Sequence, residues 1–429
     1  MTNLKRRDFV KAAASALALP SIIPSSALGL NGAVAPSNRT CIGLIGLGSM
    51  MQVDWKNLSG CRGVQGVAIC DVWKSRRDNM RRTMRLDEKN CYEDYRDLVV
   101  RPDIDAVAIA TPDHNHVHIS IAAMKAGKDV YCEKPLSNTI REGRALVNVA
   151  NRYGAVFQHG TLLRSQPGPL LACELIRNGR IGKIQDIRIG SPAGHAFGCV
   201  PSAPVPPGIN YDLWLGPAPY TPYNPVKLGS IPGVGLHAWY FYSDYSKAGW
   251  IAGYGVHDID LAQWAIGMER SGPVSIEGHA EYPKDGVFDT PLTFEIIYEY
   301  ANGMRITMTD TGKNRHGVTF LGENGKWIWM RRYIEANPPS LLRETIGPNE
   351  IHLYRSPGHA QNFVDCIRSR ADTITPAEVA HRATSTALLG GIACKLQRKL
   401  RWDPEKEIFP NDSEANRLLQ CAMRAPFQV

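Results

Sequence analysis

Two short stretches of the chain hold residues whose types and spacing fit them for proton and hydride chemistry. In the first, Gly249 to Met268, the pattern from His257 onward is helical, with Ile259, Ala262 and Ile266 on an apolar stripe and Gly267 as a stop. His257, Asp260 and Trp264 fall at i, i+3 and i+7 and share a second face. Imidazole titrates near neutral pH, so His257 can take a hydroxyl proton while hydride leaves the same carbon, and Asp260 can meet the same hydroxyl. In the second stretch, Gly46-Leu47-Gly48-Ser49-Met50-Met51 follows the apolar run Thr40 to Leu47. A Gly-x-Gly turn between strand and helix lets backbone approach a pyrophosphate, which then meets the free N–H groups of the helix start. The usual third glycine is Met51 here, so the match is incomplete. Asp71 ends the next apolar run, 25 residues after Gly46. A carboxylate there accepts ribose hydroxyls and repels a 2′-phosphate, favouring NAD; Lys74, Arg76 and Arg77 just beyond leave NADP open.

The elements that must position these groups alternate. Val64 to Cys70 and Asp103 to Pro112 read as buried strands, and His116 onward as a helix stopped at Gly127. A further strand ends in Glu133-Lys134-Pro135. This order implies a parallel sheet with ligands at the carboxyl ends of its strands. His114, His116 and His118 lie two apart, about 200° round a helix, so they cannot converge on a metal, and no metal is expected. Farther on, Leu171 to Ile189 reads as helix, turn and strand. Asn302-Gly303 and Asn324-Gly325 sit between alternating runs as hairpin turns. The Pro- and Gly-rich stretch Ser191 to Gly235 reads as a rim loop, with Tyr211, Trp214, Tyr220 and Tyr223 available to stack on sugar faces.

Gly46-x-Gly48, Thr111-Pro112-Asp113 and Glu133-Lys134-Pro135, in this order, resemble the Gfo/Idh/MocA family of nicotinamide-dependent oxidoreductases, over about Thr40 to Asp403. The resemblance implies an α/β chain: an N-terminal Rossmann dinucleotide-binding domain (38–160) and a C-terminal α+β domain (161–429) with a large open, mostly antiparallel sheet. It implies that Gly46, Gly48, Ser49, Met50, Asp71, Thr111, Pro112, Asp113, His116, Glu133 and Lys134 surround the cofactor. Lys134 is implied to act in catalysis, and His257 to be the acid/base. The open sheet is implied to make a homodimer or homotetramer. The dehydrogenases of the family carry an Asp four residues before this His; here that place is Gly253, leaving Asp258, Asp260 or Asp244 to orient the ring. Tyr254, three before His257, resembles the NAD-dependent glycosidase branch, where it would be an added acid or base.

Bulk properties narrow the field. The 429 residues are 44% apolar and 21% charged, with a formal charge of +8. Four Lys/Arg against one Asp lie in the first 11 residues, and no long basic block with interleaved aromatics occurs, which argues against nucleic-acid binding. Lys5, Arg6 and Arg7 precede a weakly apolar stretch, Ala12 to Ile23, and the small residues Ser25-Ser26-Ala27. Residues 1–37 resemble a twin-arginine export signal and linker, the route of proteins that fold, and load cofactors, before export to the periplasm. The ten cysteines include no Cys-x-x-Cys and read as free thiols. No apolar stretch of the body is long enough to span a bilayer. The expected activity is oxidation or reduction of a sugar carbon with tightly held NAD(H). The alternatives are glycoside cleavage or lysis through transient C3 oxidation and elimination, and a non-catalytic sugar- or nucleotide-binding module.

Overall fold

The computed structural model describes residues 34–428; the expected export signal lies outside the described residues apart from its last few positions. Six short strands form the first sheet: β1 Thr40–Ile45, β2 Val64–Cys70, β3 Cys91–Tyr92, β4 Ala106–Ile109, β5 Asp129–Cys132 and β6 Phe157–His159. All pair in parallel, in the order β3-β2-β1-β4-β5-β6. The apolar runs are continuous rather than alternating because helices cover both faces, and Ile42, Leu44, Val107 and Val130 are fully buried. Strand order reverses at β1, so the crevice opens between the carboxyl ends of β1 and β4. The helix α1 (Ser49–Ser59) starts there, and α2 (His116–Lys125) starts one crossover later.

The second sheet holds β7 Asp186–Ser191, β8 Ser275–Glu281, β9 Thr293–Glu299, β10 Arg305–Asp310, β11 Gly317–Leu321, β12 Trp327–Met330, β13 Ile334–Asn337 and β14 Leu400–Arg401. Its order is β13-β12-β11-β7-β10-β9-β8-β14, antiparallel except for β7 against β10. Gly303 and Gly325 adopt the left-handed conformation that turns β9 into β10 and β11 into β12. Three helices, α3 (Pro167–Arg177), α4 (Gly255–Ile266) and α5 (Ala377–Leu396), pack on one face of this sheet. The inward residues of β9, Phe294, Ile296 and Tyr298, join Ile259, Leu261 and Ala262 of α4 in one core. The opposite face carries ion pairs, among them Lys313–Glu295 and Lys399–Glu299.

The α5 helix ties the two sheets together. Arg144, on the helix after β5, holds Glu378 of α5 at 2.6 Å and Glu407 at 2.7 Å. Between the sheets the segment 191–248 folds over the crevice rather than hanging as a plain loop. It contains a short helix, Tyr211–Leu215, and a 3-10 turn, Ala238–Phe241.

Candidate functional site at the crevice between the sheets

Gly46 leaves β1 with φ +82°, and a Cβ there would lie 2.8 Å from the Ala110 carbonyl carbon and the Thr111 nitrogen. Only glycine lets the two strand ends approach this closely. Gly48 then precedes α1, whose first N–H groups face the crevice unopposed. Met51, standing where a third glycine would be, is fully buried between helix and sheet. Ser49, Met50, Thr111, Pro112, Asp113, Glu133 and Lys134 line the inner part of the crevice. Asp71 and Arg76 line the outer part, together with Tyr95, Asn115, His118 and Trp214.

The Asp71 carboxylate accepts hydrogen bonds from the N–H groups of Leu47 (2.7 Å) and Trp73 (2.8 Å), which fix it beneath the crevice. Burial raises its pKa, and Arg76 and these N–H groups oppose the rise. The neighbouring cations divide. Lys74 pairs with Asp78 on the surface and Arg77 turns to Glu93, whereas Arg76 lies over Trp73 and reaches into both parts of the crevice.

His116 is not a cleft residue, which corrects the expectation. Its ring is buried between the Pro135 carbonyl (2.7 Å) and the Thr111 carbonyl (2.9 Å), and burial pulls its pKa down to about 4. It braces the Thr111-Pro112 turn against the turn after β5, while Asn115 and His118 take the expected place on the wall. The three histidines point apart: His114 meets the Trp214 carbonyl at 2.9 Å, and His118 packs between Tyr95 and Phe427.

Lys134 reaches from the first domain to the backbone just before the His257 helix of the second. The Lys134 ammonium donates to the Gly253 carbonyl (3.0 Å) and lies 3.4 Å from the Tyr240 hydroxyl. The position lacking the family's carboxylate thus offers a backbone oxygen to the lysine instead. Burial works against the charge of Lys134, but Tyr240, Glu133 and Asp113 face it and hold its pKa above the ordinary lysine value. His257 opens α4 three residues after Tyr254. Burial, then the charges of Lys134 and Arg331, hold its pKa well below the ordinary value, so it is a neutral imidazole. Its Nδ1 has no partner among the described residues.

Asp260 does not serve this imidazole. Its carboxylate forms a bidentate pair with Arg164, 2.7 Å at both contacts, with both side chains buried in the second domain. Two charge-assisted bonds occupy this carboxylate within the second domain. Asp258 is equally buried and faces Arg331 at 3.3 Å, while Asp244 lies away from the site beside Asn138. Tyr254 is more than a third exposed, tilted against the Trp250 ring and beneath Arg331.

The rim loop is also corrected. Tyr211, Trp214 and Tyr223 are buried and build the loop's own core, leaving Tyr220 as the exposed ring of the four. At the centre of that core Lys227 donates to Thr221 Oγ1 (2.7 Å), Pro222 O (2.8 Å) and the Tyr211 hydroxyl (3.1 Å). The rings of Tyr211, Tyr242 and Tyr245 surround it, and burial lowers its pKa to about 8. The segment closes over the crevice as a cap. His237 Nε2 meets Ser49 Oγ at 2.9 Å, Lys74 N–H donates to Gly208 O (2.8 Å), and Asn210 holds Glu93 at 2.7 Å. The C-terminal tail secures it, with Arg424 at 2.5 Å from Asp212. Sequence reasoning passed over His237, Trp239 and Tyr240; the aromatic density of 237–245 was the available signal.

The residues present fit a dinucleotide. Thr111 Oγ1, Asp113 Oδ1 and Glu133 Oε1 are buried polar atoms without protein partners, all on the crevice wall. Comparison with known proteins agrees. Residues 41–161 match the family model "Oxidoreductase family, NAD-binding Rossmann fold", and residues 195–429 match "Oxidoreductase family, C-terminal alpha/beta domain", both of the Gfo/Idh/MocA family. The chain belongs to the Gfo/Idh/MocA oxidoreductases. Its first domain is accordingly the family's NAD-binding domain.

Within curated relatives, a levoglucosan dehydrogenase of Pseudarthrobacter phenanthrenivorans is 28% identical over 183 residues, 43% of this chain and 38% of that one. A 1,5-anhydro-D-fructose reductase of Ensifer adhaerens is 25% identical over 235 residues, 53% and 60% of the two chains. A myo-inositol 2-dehydrogenase of Thermotoga maritima is 29% identical over 170 residues, 40% and 47%. The matched stretch therefore spans between 38% and 60% of the length of these relatives. Among solved structures, an aldose-aldose oxidoreductase of Caulobacter crescentus superposes with TM-score 0.62 at 15% identity, covering 85% of this chain and 99% of that one. A levoglucosan dehydrogenase in complex with NADH gives 0.61 at 17%, covering 85% and 99%. These likenesses are of fold.

Proposed function

We propose that this protein is an exported oxidoreductase that takes hydride from, or returns it to, a carbinol carbon of a sugar, using NAD(H) that it does not release between turnovers. The observation that carries the reading is the reach of Lys134 from the crevice wall to the Gly253 carbonyl, four residues before His257, beneath a cap held to Ser49 and to the C-terminal tail. NAD bound there supplies the hydride acceptor or donor. The neutral imidazole of His257 is ready to accept the hydroxyl proton, because burial and two nearby cations disfavour its protonated form. The Lys134 ammonium, held by Gly253 O, is placed to stabilise the alkoxide that develops as that proton leaves. Glu133 and Asp113 keep the ammonium charged. The relatives named for levoglucosan, anhydrofructose and inositol support a polyol ring as substrate. The paired arginines of the leader support export, and a cofactor clamped before export suits a compartment poor in free NAD. The open face of the second sheet is the proposed oligomer contact.

The test is direct. Purified protein is denatured, the released nucleotide is identified, and native protein is mixed with sugars while nicotinamide absorbance is followed. The reading requires about one nucleotide per chain, and its reduction by a sugar in a single turnover. Protein that carries no nucleotide and binds none when supplied refutes it. The exposed Tyr254 phenol beside the site favours a second reading, transient oxidation followed by elimination. Release of an aryl leaving group with no net nicotinamide change selects that reading instead.

A further inference from the structure

Arg331 follows β12, and its side chain lies against Asp258 and Tyr254. Its Nε lies 3.3 Å from Asp258 Oδ1, and the Asp258 carboxyl is fully buried behind it. Its guanidinium carbon stands 5.5 Å from the centre of the Tyr254 ring. Nε and both Asp258 oxygens make no hydrogen bond among the described residues, so the guanidinium and the carboxylate face each other as an ion pair only, and about a fifth of the arginine side chain reaches solvent. His316, at the foot of β11, closes the third side, with its ring 5.9 Å from Tyr254 and its buried Nε2 also unpartnered. Burial and Arg331 hold the His316 pKa near 4, so it is a neutral group beside a permanent cation. Tyr254 stands three residues before His257, and Arg331 is close enough to bias that imidazole. Asp258, which Arg331 faces, is the next residue after His257, so the patch lies beside the start of the His257 helix.

A planar fork of N–H donors, backed by a buried carboxylate and with an aromatic face beneath, matches the two oxygens of a carboxylate. A lysine could not present both donors in one plane. The carboxylates that face Lys134, Glu133 and Asp113, are buried on the cofactor side, so they do not screen the fork. We propose that the substrate is a carboxylated sugar, a uronic acid or its glycoside, whose carboxylate is held by the Arg331 guanidinium over Tyr254. This rests on the sugar-oxidoreductase reading and adds to it the charge class of the substrate.

The experiment uses the full chain with its bound nucleotide. The probes are the methyl glycosides of glucuronic and galacturonic acid against those of glucose and galactose. The single-turnover rate of nicotinamide reduction, followed against probe concentration, gives the specificity constant, and calorimetry on protein holding reduced nucleotide gives binding without turnover. A uronide is expected to exceed its neutral counterpart by about 10- to 100-fold, the range of one charge-assisted bidentate contact. In Arg331→Met that ratio should fall to near one, mainly through weaker binding, with Arg331→Lys between the two. The wild-type ratio alone decides the matter if Arg331→Met does not fold. Neutral glycosides that react as well as uronides, or a ratio that survives Arg331→Met, overturn the inference and leave the oxidoreductase reading intact. Failure of every probe to bind or to reduce the nicotinamide counts against both.

Discussion

Replacing Asp260 by Asn separates a structural role from a catalytic one. Asp260 and Arg164 are each almost wholly buried, and the pair is bidentate at 2.7 Å. Asn keeps the shape but leaves a buried guanidinium without a counter-charge. Breaking a buried pair on one side costs about 3–5 kcal/mol. For a cooperative unit the size of the second domain, the unfolding entropy converts each kcal/mol into about 2 °C, so Tm should fall by about 6–10 °C. Replacing both partners by apolar residues, Arg164→Met with Asp260→Leu, removes the stranded charge and should restore most of that loss. Single-turnover reduction of bound nicotinamide, measured well below the lowered Tm, should stay within about threefold of wild type, since nothing that touches substrate has changed. Calorimetry and stopped-flow absorbance on the three proteins provide the assay. A turnover loss of about a hundredfold or more with Tm unchanged would place Asp260 in the proton path and refute this assignment.

Four further outcomes follow from the same geometry. Because the His257 imidazole is already neutral, the rate of sugar oxidation should show no histidine limb between about pH 6 and 8; a wild-type midpoint in that range that His257→Gln abolishes contradicts this. His257→Gln itself should slow turnover by about 10²- to 10⁴-fold without loss of bound nucleotide. Gly46→Ala forces a Cβ to 2.8 Å from two backbone atoms at φ +82°, so the purified variant should carry little or no nucleotide, as read by absorbance after denaturation. Glu407 holds its pKa near 2 against an ordinary 4.5: burial alone would raise it, but hydrogen bonds from His381 and Arg144 prevail. Its contribution is present above about pH 4.5 and lost as pH falls toward 2, so Glu407→Gln should flatten the acid limb of Tm against pH.

Local pattern is enough to specify the elements and their order. Continuous apolar runs ending in Gly46, Asp71, Thr111 and Glu133 specify buried parallel strands, and the ligand side follows from chain direction alone. Gly267, Gly303 and Gly325 mark a helix stop and two hairpins because few other residues adopt positive φ without strain. Lys134 and His257 were legible for the same reason, since each sits at the end or start of an element whose period is visible. Which polar groups find each other emerges only when distant segments pack together. His116 and Asn115 are neighbours, yet the Thr111 and Pro135 carbonyls take one inward and leave the other on the crevice wall. Asp260 shares a helical face with His257, but Arg164, 96 residues away, claims its carboxylate. Tyr211 and Tyr223 read as free stacking surfaces until Lys227 gathers the loop's aromatics around its ammonium. Helical and strand periods are local properties of the chain. The partner of a buried charge is set by contacts between distant segments, and no local pattern encodes it.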